Sequence, residues 1–565
     1  MEPSLDSPYG PSRHPQFIFN SRRSPVYSTK GLVCASQPLA VNAGLKILQM
    51  GGNAVDACVA VAAAMNVTEP HQTGIGGDMF LLYYNAKTKI VKGLNGTGRA
   101  PAALSLAKAH AMGYTTEIPF TDVNACTVPG AAAGWCDSVQ HFGSGKVSMQ
   151  DILQPAIDLA ENGYPVSPIS SFIWAVGAGK LRTGSKYGGE LLIDNRAPRA
   201  GEIMSMPELA ETFRTVAREG KKGFYEGRIA EAIVNTIREN GGLMTLEDLK
   251  SHTSTLVDPV SINYKGVIVH EIPPSSQGIV ALIALGILES LWQDRGIDFK
   301  TLGHNSPEYL HYLIEALRLA FSDARQYIAD PAIVPVPSKG LLDKEYLKSR
   351  ANLIDPHHAR ADITAGSPQY SSDTVYFTVV DAEGNACSFI NSLYEPFGCG
   401  AVAKGTGVAL QNRGSNFSLQ EGHPNVLAPG KRPYHTIIPA MATLATTSEL
   451  YLSYGNMGGF MQPQGHVQVL FNMMEFGLDP QAAVDALRFC IGPFDGITWV
   501  EEGTPAATIQ KLREMGHYIE VLSSHERNKM GRAQVIANRR DPRTKQRYLV
   551  GGSDPRGDGH VGAML

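Results

Sequence analysis

Apolar positions recur along the chain at two periods. Pro38 suits the first turn of a helix, Leu39, Ala43 and Ile47 follow at four-residue intervals, and Gly51-Gly52 ends the run. Asn53 can cap a second helix, AVDACVAVAAAMNV, whose small apolar residues on every side imply burial all round. Residues 79–84 and 90–94 flank a polar turn and read as a β-hairpin. The middle of the chain is mainly helical: behind Ser306 as cap and Pro307 in the first turn, Leu310, Leu313, Ile314, Leu317 and Phe321 form one core-facing stripe. From Ser371 the period shortens. TVYFTVVDAEGNACSFINSLY holds two β-branched and aromatic runs about a Gly-containing loop, which predicts another hairpin. Gly and Pro are frequent over residues 398–463, strands are expected at 450–454, 534–537 and 547–550, and helices at about 464–476 and 480–489. Strands interleaved with helices predict a layered α/β fold. No solenoid-length repeat is present.

Composition narrows the partners. Forty-nine Lys plus Arg against 53 Asp plus Glu leave a formal charge of −4, without the basic excess that dominates nucleic-acid binding. The most apolar windows, residues 57–67 and 278–291, fall short of the roughly 18 to 20 residues of a membrane span and read as buried helices. The first twenty residues lack a basic segment followed by an apolar one, and seven scattered cysteines form no CxxC pair, so neither a secretory signal nor a disulfide or zinc framework is expected. These features predict a cytoplasmic, reduced chain with no membrane partner. A tail over residues 1–28, rich in Pro, Ser and Arg, is expected to be flexible.

Familiar motifs fail. Gly74-Ile75-Gly76-Gly77-Asp78-Met79 has Met79 where a dinucleotide loop needs its third Gly, and it follows a helix rather than a strand. Gly145-Lys146 lacks the upstream Gly of a phosphate loop, His357-His358 has no helix-spaced metal-ligand partner, and Arg556-Gly557-Asp558 reads as a tight turn. No metal or cofactor is implied.

Thr374 is the chemically suggestive position. It opens the β-run TVYFTVVD after the Ser/Pro-rich stretch 365–373. A hydroxyl there becomes a nucleophile if the preceding peptide bond is cut, because the new α-amine serves as its general base. An α-amine has a pKa near about 8, so a useful fraction is neutral at cell pH. Threonine is also common in strands, and the position alone decides nothing.

The surrounding text is more specific. GLVCASQPLAVNAGLKILQMGGNAVDACVAVAAAMNVTEPHQTGIGGDMFLLYY, TVPGAAAGW, DILQPAIDLAENGYPV, DTVYFTVVDAEGNACSFINSLYEPFGCG, KRPYHTIIPAM and GNMGGFMQPQGH occur in order along the chain. Through them the sequence resembles the γ-glutamyltransferase (glutathione hydrolase) family of N-terminal-nucleophile hydrolases. The resemblance implies a four-layer αββα sandwich made as an inactive precursor. Cleavage between Asp373 and Thr374 would give a large subunit, residues 29–373 beyond the tail, and a small subunit, residues 374–565. It also implies Thr374 as nucleophile, Ser392 as the hydroxyl beside its amine, and Gly458-Gly459 as the backbone donors that stabilise the tetrahedral intermediate.

The acyl-binding positions depart from the family. A carboxylate that receives the substrate's α-ammonium aligns with Asn416, and a neutral amide position becomes Arg413. Two serines for the α-carboxylate align with His435-Thr436, an Asn near the nucleophile becomes Tyr394, and the large subunit's carboxylate-binding Arg has Arg99 as its nearest substitute. The segment 417–430 is shorter than the family's lid-bearing loop. These changes imply an amidohydrolase with altered acyl selection, acting on a small-molecule amide with water or an amine as acceptor. An anionic acyl group would suit Arg413, but an Arg pairing with a structural carboxylate would suit it equally. The readings are a glutathione hydrolase-like enzyme, an acylase or small-amide hydrolase of oxamate or glutaryl type, and, from another class, a binding protein that keeps the sandwich without maturing.

Overall fold

A computed structural model describes residues 23–360, 373–492 and 496–565. The stretch 365–373 lies outside them up to residue 372, as does most of the expected tail. The tail expectation ends early, because Val26–Ser28 pairs with residues 549–551 as an edge strand.

Two seven-stranded sheets stack face to face. One runs, across the sheet, His560–Ala563, Leu32–Ala35, Asp373–Val380, Ala386–Tyr394, Asp78–Asn85, Ile90–Gly96 and Thr255–Val257. The other runs Val26–Ser28, Arg547–Ser553, Ala533–Arg540, Leu450–Asn456, Ala440–Leu444, Val267–Glu271 and Val260–Tyr264. Alternate side chains of Asp373–Val380 explain the layering: Val375, Phe377 and Val379 enter a core shared with the helices Pro38–Gln49 and Ala54–Thr68, whereas Tyr376 enters the core between the sheets with Phe80, Met441 and Ile536. A third core joins Val269, Ala442, Leu452 and Val535 to the helices Gly278–Arg295, Pro307–Tyr327 and Met461–Met474. Helix, sheet, sheet and helix thus form the four layers expected.

Local signals account for most of these elements. Asn53 and Asp56 complete a capping box on Ala54–Thr68, every residue of which is buried. Ser306 accepts the Tyr309 amide, and Pro307 occupies the first turn behind it. The helix expected over 480–489 stops at Asp485, and Phe489–Ile491 instead pairs with Ile497–Glu501. Tertiary contacts override the apolar pattern: the Arg488 amide donates to Glu501 Oε2 at 2.7 Å and the Phe489 amide to Gln468 Oε1 at 3.0 Å, bonds that an extended backbone offers and a helix does not. Among the described residues no helix is long and apolar enough to cross a membrane.

Candidate active site

The strands Asp373–Val380 and Ala386–Tyr394 pair antiparallel, with a register shift between Asp373 and Val375. The shift falls on Thr374, and such a bulge re-aims a side chain out of the regular pleat. On its other edge Asp373–Val380 is paired only from Thr378 onward, so Thr374 sits where the sheet opens. The residue is nonetheless fully buried, with Oγ1 3.1 Å from Ser392 Oγ.

Ser392 Oγ also accepts the Tyr394 amide at 2.8 Å and Arg413 Nη2 at 3.1 Å. Thr374 Oγ1 and Ser392 Oγ are within hydrogen-bond distance, and either hydroxyl can be the donor. The approach depends on Gly77, where a Cβ would lie 2.2 Å from the Ser392 carbonyl oxygen. Close approach of backbone, rather than phosphate binding, explains the glycines at 76 and 77.

Further contacts fan out from Arg413. Its Nη1 donates to Thr436 Oγ1 at 2.6 Å, and its guanidinium lies 4.0 Å from the centre of the Tyr394 ring. Tyr394 has φ 80, a strained value for a side-chain-bearing residue, and its Oη donates to Asn416 Oδ1 at 2.7 Å. Asn416 Nδ2 in turn donates to the Tyr434 carbonyl at 3.2 Å. Thr374, Ser392, Tyr394, Arg413, Asn416 and Thr436 thus form one connected group.

Gln277, which sequence reasoning overlooked, extends the group to the glycine pair. Its Nε2 donates to the carbonyls of Thr436 at 2.6 Å and Gly459 at 2.8 Å. Gly458 and Gly459, at φ 112 and 57, lead into Met461–Met474, and neither amide N–H meets an acceptor among the described residues. Free N–H groups before a helix are suited to receive an oxyanion.

Two predicted positions behave differently. His435 places Nε2 3.1 Å from Asp78 Oδ2, and its Nδ1 accepts the Ile437 amide at 3.4 Å, so both ring nitrogens are engaged within the protein. Burial, reinforced by the Arg413 cation, lowers its pKa to about 4 and keeps the ring neutral. Arg99 does not join the group around Thr374: its Nη1 donates to the Thr253 carbonyl at 3.2 Å, beside Arg432, which donates to the same oxygen. Asp78 was also missed; it accepts from His435 and from the amides of Gly98 at 2.9 Å and Gly130 at 3.3 Å, tying three loops together behind the site. Its place next to the quoted glycines was the only signal. Among the described residues no cluster of His, Cys, Asp and Glu could hold a metal.

A buried hydroxyl pair at a strand start is thus linked, through Thr436 and Gln277, to a glycine pair with unbonded backbone amides. The family model of gamma-glutamyltranspeptidase matches residues 40–564. The chain belongs to the gamma-glutamyltranspeptidase family. Its similarity to the glutathione hydrolase-like YwrD proenzyme of Bacillus subtilis is 39% identity, covering 94% of this chain and 98% of that one. With the oxamate amidohydrolase proenzyme of Klebsiella pneumoniae it shares 34% identity over the same fractions. The crystal structure of cephalosporin acylase from Bacillus halodurans superposes with a TM-score of 0.87 at 39% identity, covering all of both chains. This gamma-glutamyltranspeptidase-family chain is accordingly an N-terminal-nucleophile hydrolase with amidohydrolase chemistry.

Proposed function

We propose that the chain is a proenzyme that cleaves itself before Thr374 and then acts as a glutathione hydrolase-like threonine amidohydrolase on γ-glutamyl or related amides. The observation that carries this reading is the Thr374–Ser392 hydroxyl pair at 3.1 Å, set on a bulge at the open end of a central strand. In maturation the Thr374 hydroxyl adds to the carbonyl carbon of Asp373, the C–N bond breaks to leave an ester and a free α-amine, and water opens the ester. Residues up to 373 then form the large subunit and 374–565 the small one.

In turnover the α-amine takes the hydroxyl proton as Thr374 Oγ1 attacks the substrate amide carbon. Amides of Gly458 and Gly459 receive the oxyanion, at roughly 3 to 4 kcal/mol for a donor of this kind. The proton passes to the leaving amine, and water or another amine then takes the acyl group from Thr374. Ser392, whose hydroxyl contacts Thr374 Oγ1, serves in this reading as the hydrogen-bonding partner of the amine that maturation frees.

A second reading, an acylase or small-amide hydrolase of oxamate or glutaryl type, is favoured by Arg413 and by the neutral Asn416, because an amide holds a substrate ammonium less well than a carboxylate would. Relatives named as an oxamate amidohydrolase and a cephalosporin acylase are in keeping with it. N-terminal sequencing of the small fragment, together with a hydrolysis panel of γ-glutamyl, glutaryl and oxamate-type amides, tests both. An uncut chain with full amidase activity would overturn the activation step, and a small fragment starting at another residue would remove Thr374 as nucleophile. An uncut chain that binds amides without hydrolysing them would instead make this a binding protein on the same fold.

A further inference from the structure

Arg413 differs from the other deeply buried arginines of the chain. Arg488 meets Asp554 at 2.6 Å, Arg527 meets Glu501 at 2.8 Å, and Arg556 is bound by both Glu501 and Asp554. Arg432, which has no side-chain carboxylate partner among the described residues, donates to the carbonyls of Thr97 and Thr253 and to the Thr255 hydroxyl. Arg413 is 1% exposed, and among the described residues its guanidinium reaches only the hydroxyls of Ser392 and Thr436 and the face of Tyr394. Two of its five N–H donors are thereby used. The acidic groups nearest in influence are committed elsewhere: Asp78 to His435 and two backbone amides, and Glu395 to Lys180 at 3.6 Å. A desolvated cation without an anion is costly, and such a cation next to a nucleophile is a receptor awaiting one.

Resting on the reading of Thr374 as nucleophile, we infer that Arg413 is an acyl-anion subsite, and that the preferred substrates are monoamides of short dicarboxylic acids whose free carboxylate pairs with this guanidinium. The distance limits the acid. Arg413 Nη2 and Thr374 Oγ1 are both 3.1 Å from Ser392 Oγ, so they lie no further apart than those two bonds laid end to end. A carbonyl carbon at attack distance, about 3 to 3.5 Å from Oγ1, then brings a carboxylate only a few bonds away onto the guanidinium. The fork of N–H groups matches a carboxylate in two-point fashion. No substrate α-ammonium is required, and Asn416, held by Tyr394 and Tyr434, supplies no anion to receive one or to repel the carboxylate.

The test compares, on the mature two-chain protein, glutaryl anilide with its methyl-ester-capped isostere and with butyryl anilide, and measures binding of glutarate and of butyrate by calorimetry. The expected result is a kcat/KM for the free acid at least on the order of tenfold above both neutral compounds, with glutarate and not butyrate bound. Arg413→Met should lose glutarate binding and Arg413→Lys should retain part of it, with thermal unfolding used to check that both variants fold. Equal turnover of acid and capped ester with no glutarate binding would overturn the subsite and leave the amidohydrolase intact. Glutarate bound through Arg413, with none of the amides hydrolysed, would support the subsite and overturn the nucleophile.

Discussion

Ser392 Oγ lies 3.1 Å from Thr374 Oγ1 while also receiving the Tyr394 amide at 2.8 Å and the Arg413 guanidinium at 3.1 Å. In the proposed reaction the two hydroxyls have unequal roles. Thr374→Ala should remain a single chain without amidase activity, since both steps need the hydroxyl. Ser392→Ala should mature slowly and lose about 10²- to 10⁴-fold in kcat, the usual range for a positioned proton-handling group. Ser392→Thr restores the oxygen and should recover most of that loss. Denaturing gels read maturation, and initial rates on the cleaved fraction read turnover. Full activity in Ser392→Ala would show that the hydroxyl contact does not matter to the reaction.

Much of this arrangement was legible in the sequence, for identifiable reasons. Helices with a cap and a clear end, such as Asn53 before Ala54–Thr68, are local events, and local rules found them. Thr374 and Ser392 were legible because long ordered motifs fixed their alignment. The bulge that turns Thr374 toward Ser392 was not, since a register shift depends on the partner strand. Gln277 and Asp78 were missed because each works by joining segments distant in the chain: Gln277 ties the carbonyls of Thr436 and Gly459, and Asp78 ties His435 to two loops. Polar residues of this kind have no period and no motif. The apolar run 480–489 misled for the opposite reason, as side chains at Gln468 and Glu501 draw it into a strand.

Gly458→Ala tests the glycine pair. At φ 112 a side chain is strained by about 1 to 3 kcal/mol, and its Cβ would lie 3.1 Å from the Cα of Gly531. Relief of that strain must rotate the backbone, and with it the amide N–H proposed to receive the oxyanion. The expected outcome is a loss of about 10²- to 10³-fold in kcat with KM little changed, because an oxyanion donor acts mainly in the transition state. A variant with unchanged kcat would move the oxyanion site elsewhere.

His435 gives the fold a defined acid sensitivity. Its pKa falls from an ordinary value of 6.5 to about 4 because burial, and then the Arg413 cation, oppose a charged ring. Between these values the unfolded chain binds a proton that the folded chain refuses. The contribution is therefore complete above about pH 6.5 and is lost as pH falls toward 4, at about 1.4 kcal/mol per pH unit. Urea unfolding of wild type and His435→Gln over that window should diverge, with the variant less dependent on pH by one proton. Parallel curves would mean that the imidazole is charged in the folded protein.

Asn416→Asp separates the γ-glutamyl reading from the dicarboxylic one. The substitution keeps an acceptor for Tyr394 Oη at 2.7 Å, but it replaces the donor to the Tyr434 carbonyl, 3.2 Å away, with an anion. Losing that bond and facing two oxygens together should lower stability by about 1 to 3 kcal/mol. The same anion can hold a substrate α-ammonium, a charge-assisted contact that the amide offers only weakly. The ratio of kcat/KM for γ-glutamyl anilide to that for glutaryl anilide should therefore rise by about tenfold, the worth of roughly 1.4 kcal/mol. The ratio is the decisive quantity, since a general loss of folded enzyme lowers both rates together and leaves it unchanged. A ratio that stayed constant while the variant folded would mean that position 416 does not face the α-carbon of the bound acyl group, and that Arg413 and Thr436 define its surroundings without it.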